Sequence, residues 1–363
     1  MFYKAIIRPL FFSLDPERVH NFITDVGGGL GRSWLGRWLV QSLYKFDHPS
    51  LKTSVCGIEF KNPVGLAAGF DKNIRLTDII PEVGFGFMEV GAITQHPSPG
   101  NSGRRLARLV KDKSILVYYG LNNIGADAAL KKVKSLKFKI PAGINIAKTN
   151  RADIKGDWSI KDYIYTYRLL SLYFSYVTIN VSCPNVQDGC TFQRPDLLDR
   201  LLKELSKEKK IAPIFLKFSN HLSESEVNDI ISVVGEYNFV DGFILSNLSK
   251  DRDSLKLKSS TKDLNKLPLA GVSGSPIKNQ STNLIKYVYQ KTGGKFKIIG
   301  VGGIFSAEDA YEKIRAGASL IQIITGLIYE GPGVVFKIKK GLVRLLKRDG
   351  FKNISEAVGA DFK

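Results

Sequence analysis

The chain has 363 residues, 44% of them hydrophobic and 24% charged. This is ordinary globular usage, which excludes general disorder or a collagen-like fibre and leaves room for one (β/α)₈ barrel of roughly 250 residues plus an appended element. Three cysteines without C-x-x-C spacing, Cys56, Cys183 and Cys190, argue against a disulfide framework and a zinc site, and the formal charge of +19 attracts anions of any kind without choosing among them.

The pattern begins with two short amphipathic segments, 3–13 and 16–44. They carry Phe2, Tyr3, Phe11, Phe12, Phe22, Trp34 and Trp38 beside Lys4, Arg8, Arg18, Arg32 and Arg37. Lys4, Arg8 and Pro9 interrupt the first apolar run and no small-residue cleavage site follows, so a signal peptide is not expected. Asp15-Pro16-Glu17-Arg18 reads as a helix start with Pro16 at its first position. No stretch reaches the ~20 apolar residues that a bilayer span needs. The mixture of aromatic and basic residues suits the interfacial plane of a membrane, which predicts a peripheral protein on the cytoplasmic face. A helical hairpin packed on the protein's own body fits the same periodicity.

Beyond residue 50, short β-rich runs alternate with helical patterns. Strands are predicted at 64–68, 86–90, 143–146, 176–181, 213–218, 241–246, 298–301 and 319–323. Helices are predicted at 159–174, 195–209, 223–237, 277–291 and 306–316, with Pro195, Ser223 and Ser306 as start signals. Eight apolar, non-alternating strands separated by helices predict the α/β class: a (β/α)₈ TIM barrel with an N-terminal helical extension. The division expected is 1–47 for the extension and 48–363 for the barrel. The charged runs Lys207 to Lys210 and Lys250 to Lys266 read as solvated loops, and no nucleic acid partner is expected.

In such a barrel the chemistry sits at the C-terminal strand ends. Polar residues recur there: Asp71 and Lys72, Asn145 and Lys148, Asn180 with Cys183 and Asn185, Lys217, then Ser246 with Asn247. Gly300-Val301-Gly302-Gly303-Ile304 follows a strand and precedes the helix opened by Ser306, so backbone N–H groups there can face an anion. Thr325-Gly326 and Ser273-Gly274 extend this into a predicted site for a phosphate-bearing ligand; glycines serving only tight turns are the alternative.

These residues resemble the dihydroorotate dehydrogenase family, over nearly the whole chain. The resemblance rests on 14–20 (LDPERVH), 62–72 (NPVGLAAGFDK), 97–101 (PSPGN), 180–185 (NVSCPN), 300–304 (GVGGI) and 350–357 (GFKNISEA). The first and last of these resemble the membrane-associated, quinone-using class. The family implies FMN on the barrel, oxidation of (S)-dihydroorotate to orotate in pyrimidine biosynthesis, and a membrane quinone as acceptor. Carried over by motif, FMN would contact Ala68, Gly69, Lys72, Ala92, Asn145, Asn180, Lys217, Ser246, Gly274, Gly303 and Thr325. Substrate would meet Lys72, Asn180, Asn185 and Asn247, while His20 and Arg108 would line the quinone tunnel. Arg108 as a plain surface charge stays open.

Three positions depart from that pattern. The catalytic base of the quinone-using class is normally serine, but this chain has Cys183, as in the soluble class; a thiol with a reference pKa near 8.5 is a better proton acceptor than an unassisted hydroxyl. Val117 stands where the family's N-x-x-G segment has asparagine, and Leu248 where a hydroxyl residue follows the asparagine of strand six. The loop after Asn185 reads Asp188-Gly189-Cys190 instead of Gly-Leu-Arg. Two readings therefore stand: dihydroorotate oxidation, or a divergent FMN oxidoreductase of the same fold acting on a less polar cyclic compound.

Overall fold

The computed structural model describes residues 3–182 and 191–362. A π-helical turn over Tyr3–Ile7 leads into α1 (Arg8–Ser13), α2 (Pro16–Arg32) and α3 (Trp34–Tyr44). Side-chain caps choose these starts. Asp15 Oδ1 accepts from the backbone N–H groups of Glu17 and Arg18, both at 3.0 Å, and Ser33 Oγ accepts from Gly36 N at 3.2 Å; each cap contributes about 1 kcal/mol. Ser33 is extended, so the predicted segment 16–44 is in fact two helices that meet at one capping residue. Among the described residues no helix is long and apolar enough to cross a membrane.

Thirteen strands follow among the described residues. They are β1 (Thr53–Val55), β2 (Ile58–Phe60), β3 (Val64–Leu66), β4 (Phe87–Ile93), β5 (Leu106–Leu109), β6 (Ser114–Val117) and β7 (Ala142–Ile146). Then come β8 (Tyr176–Asn180), β9 (Ile214–Phe218), β10 (Val240–Leu245), β11 (Gly271–Gly274), β12 (Lys297–Val301) and β13 (Leu320–Ile323). Eight of these close into a barrel in the order β10-β12-β13-β3-β4-β7-β8-β9, all parallel. All eight predicted strands are the barrel strands; the largest end shift is at β4, which runs on to Ile93. Their unbroken apolar runs reflect burial on both faces, by helices outside and by barrel contents inside. The helices predicted from Ser223 and Ser306 begin there with full capping boxes, and Pro195 opens its helix at the first position.

Two small sheets were not foreseen. The hairpin β1-β2 delivers Phe60 to the barrel's N-terminal end, 5.3 Å from Phe87 ring to ring. Antiparallel β5-β6-β11 stands beside the barrel mouth. Strands of three or four residues leave too short a pattern to read, and β11 joins β6 from more than a hundred residues away. The run 250–266 is also not merely a solvated loop. It holds a 3-10 turn at Asp253–Leu255 and a helical turn at Thr261–Leu264, and Arg252 donates to Ala270 O at 3.1 Å.

Inside the barrel, Phe87, Tyr176 and Phe215 fill the N-terminal half. Glycine makes the space: a Cβ on Gly65 would lie 2.3 Å from the Phe87 ring, and one on Gly143 2.1 Å from the Tyr176 ring. One layer nearer the C-terminal ends the filling turns polar, with Glu89 of β4 and Gln322 of β13 fully buried. This apolar plug blocks the bottom, so the barrel can open only at its top.

Candidate active site

A cavity of about 560 Å³ runs from α1–α3 down to the C-terminal ends of the barrel strands. Its floor includes Lys72, Asn145, Asn180, Lys217, Ser246 and Asn247; Ala68, Gly69, Ala92, Gly274, Gly303 and Thr325 line it as well. Its upper half is apolar, with Phe11, Val19, Ile23, Leu30, Leu39 and Leu43 contributed by the three helices. Every predicted cofactor residue therefore faces one space, together with His20 and Arg108. Cys183 and Asn185 lie outside the described residues.

The floor is a connected set of hydrogen bonds. Asn180 Nδ2 donates to Asn145 Oδ1 at 3.1 Å, and Asn247 Nδ2 donates to Ser182 Oγ at 3.1 Å. Ser246 donates to Asn220 Oδ1 at 2.5 Å. Lys217 is 5% exposed on β9. Asp71, also a strand-end residue, does a different job: its carboxylate receives the N–H groups of Arg75 and Leu76 at 2.8–3.0 Å and shapes the turn that presents Lys72.

Lys72 joins the two halves of the cavity. Its ammonium lies 3.0 Å from His20 Nε2 on α2 and 3.8 Å from the centre of the Tyr119 ring. Burial pushes the Lys72 pKa down to about 7, with Glu17 partly opposing the shift. Burial, reinforced by Lys72 and Arg75, pushes His20 down to about 3, so its imidazole is neutral near pH 7. When Lys72 is protonated its ammonium can only donate, and in that state His20 Nε2 accepts from it with the ring proton on Nδ1. The Tyr119 face offsets some of the cost of burying the cation. Its hydroxyl is buried with no hydrogen-bond partner among the described residues.

Arg108 is no plain surface charge. It stacks 4.8 Å from the Phe12 ring, donates to Leu14 O at 2.8 Å, and has its pKa lowered by burial. At the glycine-rich end of the cavity, where the sequence predicts a phosphate, Gly274, Gly302 and Gly303 all take positive φ, at +99°, +118° and +69°, and Ser273 Oγ lies 3.0 Å from Thr325 Oγ1. A Cβ on Gly303 would lie 2.4 Å from Lys278, and one on Gly274 2.5 Å from Lys113 O. Only glycine fits both the conformation and the space.

Val117 and Leu248 line the cavity. Leu248 occupies the space above Gly271, where an added Cβ would lie 1.8 Å from its Cδ1, and Gly271 is the register partner of Val117. An apolar wall thus stands at these two positions. Asn122, five residues after Val117, lines the cavity too; its Nδ2 donates to Pro99 O at 2.8 Å and Ser98 O at 3.3 Å. Sequence reasoning passed over Glu89, Gln322 and Tyr119. For the first two a signal existed, since a charged or amide residue inside an otherwise apolar strand must find buried partners.

Comparisons with known proteins agree with one another. The family model described as dihydroorotate dehydrogenase matches residues 50–346. A relative from Nostoc punctiforme named dihydroorotate dehydrogenase (quinone) is 40% identical, over 99% of this chain and 98% of its own length. One of the same name from Trichodesmium erythraeum is 38% identical over 98% of each. Among solved structures, the DHODH of Eimeria tenella in complex with ferulenol superposes with a TM-score of 0.83 at 31% identity, covering 96% of both chains.

Proposed function

The chain belongs to the dihydroorotate dehydrogenase family, and from that premise we propose that it oxidises (S)-dihydroorotate to orotate in pyrimidine biosynthesis, with a quinone as electron acceptor. The observation that carries this reading is the continuity of the cavity, polar at the strand ends and apolar between the helices. A polar ring and a greasy acceptor each find matching chemistry in one space.

The residues fit FMN, the cofactor of this family. The glycine turns at 274 and 302–303 leave backbone N–H groups and no side chain where a phosphate is to be held. Lys72 and Lys217 supply buried positive charge, and the amides of Asn145 and Asn180 supply donors and acceptors for ring edges. FMN held by these residues would supply the acceptor for the hydride from C6 of the substrate and the electron pair for the quinone. Lys72, Asn180, Asn185 and Asn247 orient the substrate in this reading, and the Lys72 ammonium balances anionic charge at the floor. Cys183 takes the proton from C5. His20 and Arg108 face the quinone on the upper side.

Residues 1–47 form the quinone element and bed on the membrane surface. Trp34, Trp38 and Leu43 are 71%, 57% and 61% exposed, and Phe22 and Leu35 are exposed beside them. This apolar face, flanked by Arg32 and Arg37, fits the interfacial plane of the cytoplasmic leaflet and opens the cavity towards lipid.

The apolar wall of Val117 and Leu248 favours a second reading, in which the substrate is a less polar ring. One experiment separates the two. Anaerobic addition of sub-millimolar dihydroorotate is expected to bleach the flavin band, and Cys183→Ala to abolish the bleaching. A flavin that dithionite reduces but dihydroorotate does not would reject the first reading in favour of the second.

A further inference from the structure

Glu89 lies in the middle of β4 with no exposed surface, one layer beneath the cavity, and its hydrogen bonds lead to the cavity floor. Its Oε1 accepts from Asn145 Nδ2 at 2.7 Å. Its Oε2 accepts from Gln322 Nε2 at 2.8 Å and from the Tyr176 hydroxyl at 3.2 Å. A carboxylate only accepts, so each of these groups must turn a hydrogen towards it. A hydroxyl does this by rotating. For an amide the same demand fixes which end faces which way.

The consequence travels along the floor. With Nδ2 held by Glu89, Asn145 presents Oδ1 to Asn180, whose Nδ2 donates to it at 3.1 Å. Asn180 then presents its own Oδ1 to Ser182, which donates its N–H at 3.3 Å and its hydroxyl at 3.2 Å. The Ser182 hydroxyl accepts in turn from Asn247 Nδ2 at 3.1 Å, and Asn247 Oδ1 receives the N–H of Leu248 at 2.9 Å. On the other branch, Gln322 aims Nε2 at Glu89 and leaves Oε1 buried with no partner among the described residues, although Gln322 itself lines the cavity.

We propose that Glu89 is the positioning residue that fixes the donor and acceptor pattern of the cavity floor, and that Gln322 Oε1 is a binding acceptor for an N–H on the ring system of FMN. Packing alone cannot choose these orientations, because the two ends of an amide have nearly the same size. Only the hydrogen-bond chain from an acceptor-only group sets them, and it sets all of them together. A buried acceptor without a donor is unfavourable, and a ligand N–H is the complement that this geometry leaves open. The inference rests on FMN being the group held in the cavity.

The test compares Glu89→Gln with Glu89→Asp in the FMN-loaded protein, reading FMN dissociation by fluorescence and the position of the visible flavin bands. Gln has the shape of Glu but offers one donor end, so the amides can reorient; Asp is shorter but still only accepts. We expect FMN to bind about tenfold more weakly, with displaced bands, in Glu89→Gln, and Glu89→Asp to stay closer to the parent in both readings. A packing role predicts the reverse order, and that order, or a Glu89→Gln protein indistinguishable from the parent, overturns the proposal. Should Glu89→Gln fail to fold, Gln322→Met removes the open acceptor and leaves the chain from Glu89 to Asn247 in place. It is expected to weaken FMN binding several-fold and shift the bands, and unchanged affinity and bands overturn the proposal. A parent protein that retains no FMN overturns the cofactor assignment and this inference with it, whereas a yellow parent whose variants behave alike overturns this inference alone.

Discussion

The two ends of the cavity are built on opposite rules. At the floor, Asn145, Asn180 and Lys217 are 0%, 7% and 5% exposed and come from neighbouring strands of a closed barrel, and the two asparagines sit in a chain of hydrogen bonds. At the mouth, α1–α3 contribute aliphatic and aromatic side chains, several of them largely open to solvent. Polar contacts along all three helices tie them to the barrel, among them Tyr3 hydroxyl to Ile328 O at 2.6 Å, the Glu17–Arg105 ion pair, His20 with Lys72, and Gln41 with Glu82 at 3.0 Å. Rigid strands suit a site that must hold donors within fractions of an ångström of developing charge. Amphipathic helices with an apolar inner face suit a site whose ligand arrives from an apolar phase, where partition matters more than orientation.

On this contrast the floor is intolerant and the mouth graded. Lys72→Met is expected to have the largest effect. It removes the buried cation at the floor, and the rate at which dihydroorotate bleaches the flavin should fall by about 10²–10³-fold, measured anaerobically by stopped flow. A loss confined to quinone turnover would place Lys72 functionally in the mouth and break the comparison.

Trp34→Ser with Trp38→Ser addresses the other end. Each indole that enters the interface contributes roughly 2 kcal/mol of apolar transfer, so partition onto anionic vesicles should drop by one to three orders of magnitude while dihydroorotate still bleaches the flavin at the parent rate. Vesicle sedimentation in high salt sharpens the result, because attachment that survives salt rests on the aromatic face and not on charge. Unchanged partition would mean that α3 does not meet lipid.

How much of this contrast was legible beforehand follows the same division. The barrel could be read because eight doubly buried strands leave apolar runs that no solvent-facing pattern imitates, and because polar residues recur at their ends. The tight turns at Gly274, Gly302 and Gly303 were legible for a local reason, since positive φ and close approach admit nothing else. Glu89 and Gln322 were passed over because their meaning is not local: they meet only when strands far apart in sequence become neighbours of one interior layer. The contact of His20 with Lys72 across the two halves was invisible for the same reason. Leu248 and Gly271 show the limit from the other side: each is unremarkable alone, and only together do they reveal a leucine seated where a Cβ would clash.

Between the extremes lies the titration of Lys72. Its pKa of about 7 in the free site lies below the ordinary value of 10.5. For Lys this depressed value means that the folded site binds fewer protons than the unfolded chain between about pH 7 and 10.5. In that window stability gains as pH rises, and the gain is lost as pH falls through 7. Binding of an anion has the opposite slope. Below pH 7 the ammonium is already charged, whereas above it a proton must be taken up first. The affinity for orotate should therefore be flat from pH 6 to 7 and fall up to tenfold per unit towards pH 9. Calorimetry in buffers of different ionisation enthalpy counts the proton directly, and Lys72→Met should show neither the slope nor the uptake.

The smallest effect tests whether the two ends are electrically separate. Glu17 belongs to α2 at the mouth, yet it is the foremost charge raising the Lys72 pKa, and Arg105, its ion-pair partner, lowers it. Glu17→Gln removes the raising charge and leaves the lowering one unpaired. The break in the orotate profile should move to lower pH by less than one unit, which corresponds to less than about 1.4 kcal/mol. Replacing Arg105 by Gln as well should bring the break back towards the parent, because the two charges act on Lys72 with opposite sign. A profile that ignores both substitutions would show that the helices shape the cavity without tuning its floor. A shift that the second substitution reverses would show that docking of the N-terminal helices sets the charge available to the chemistry below.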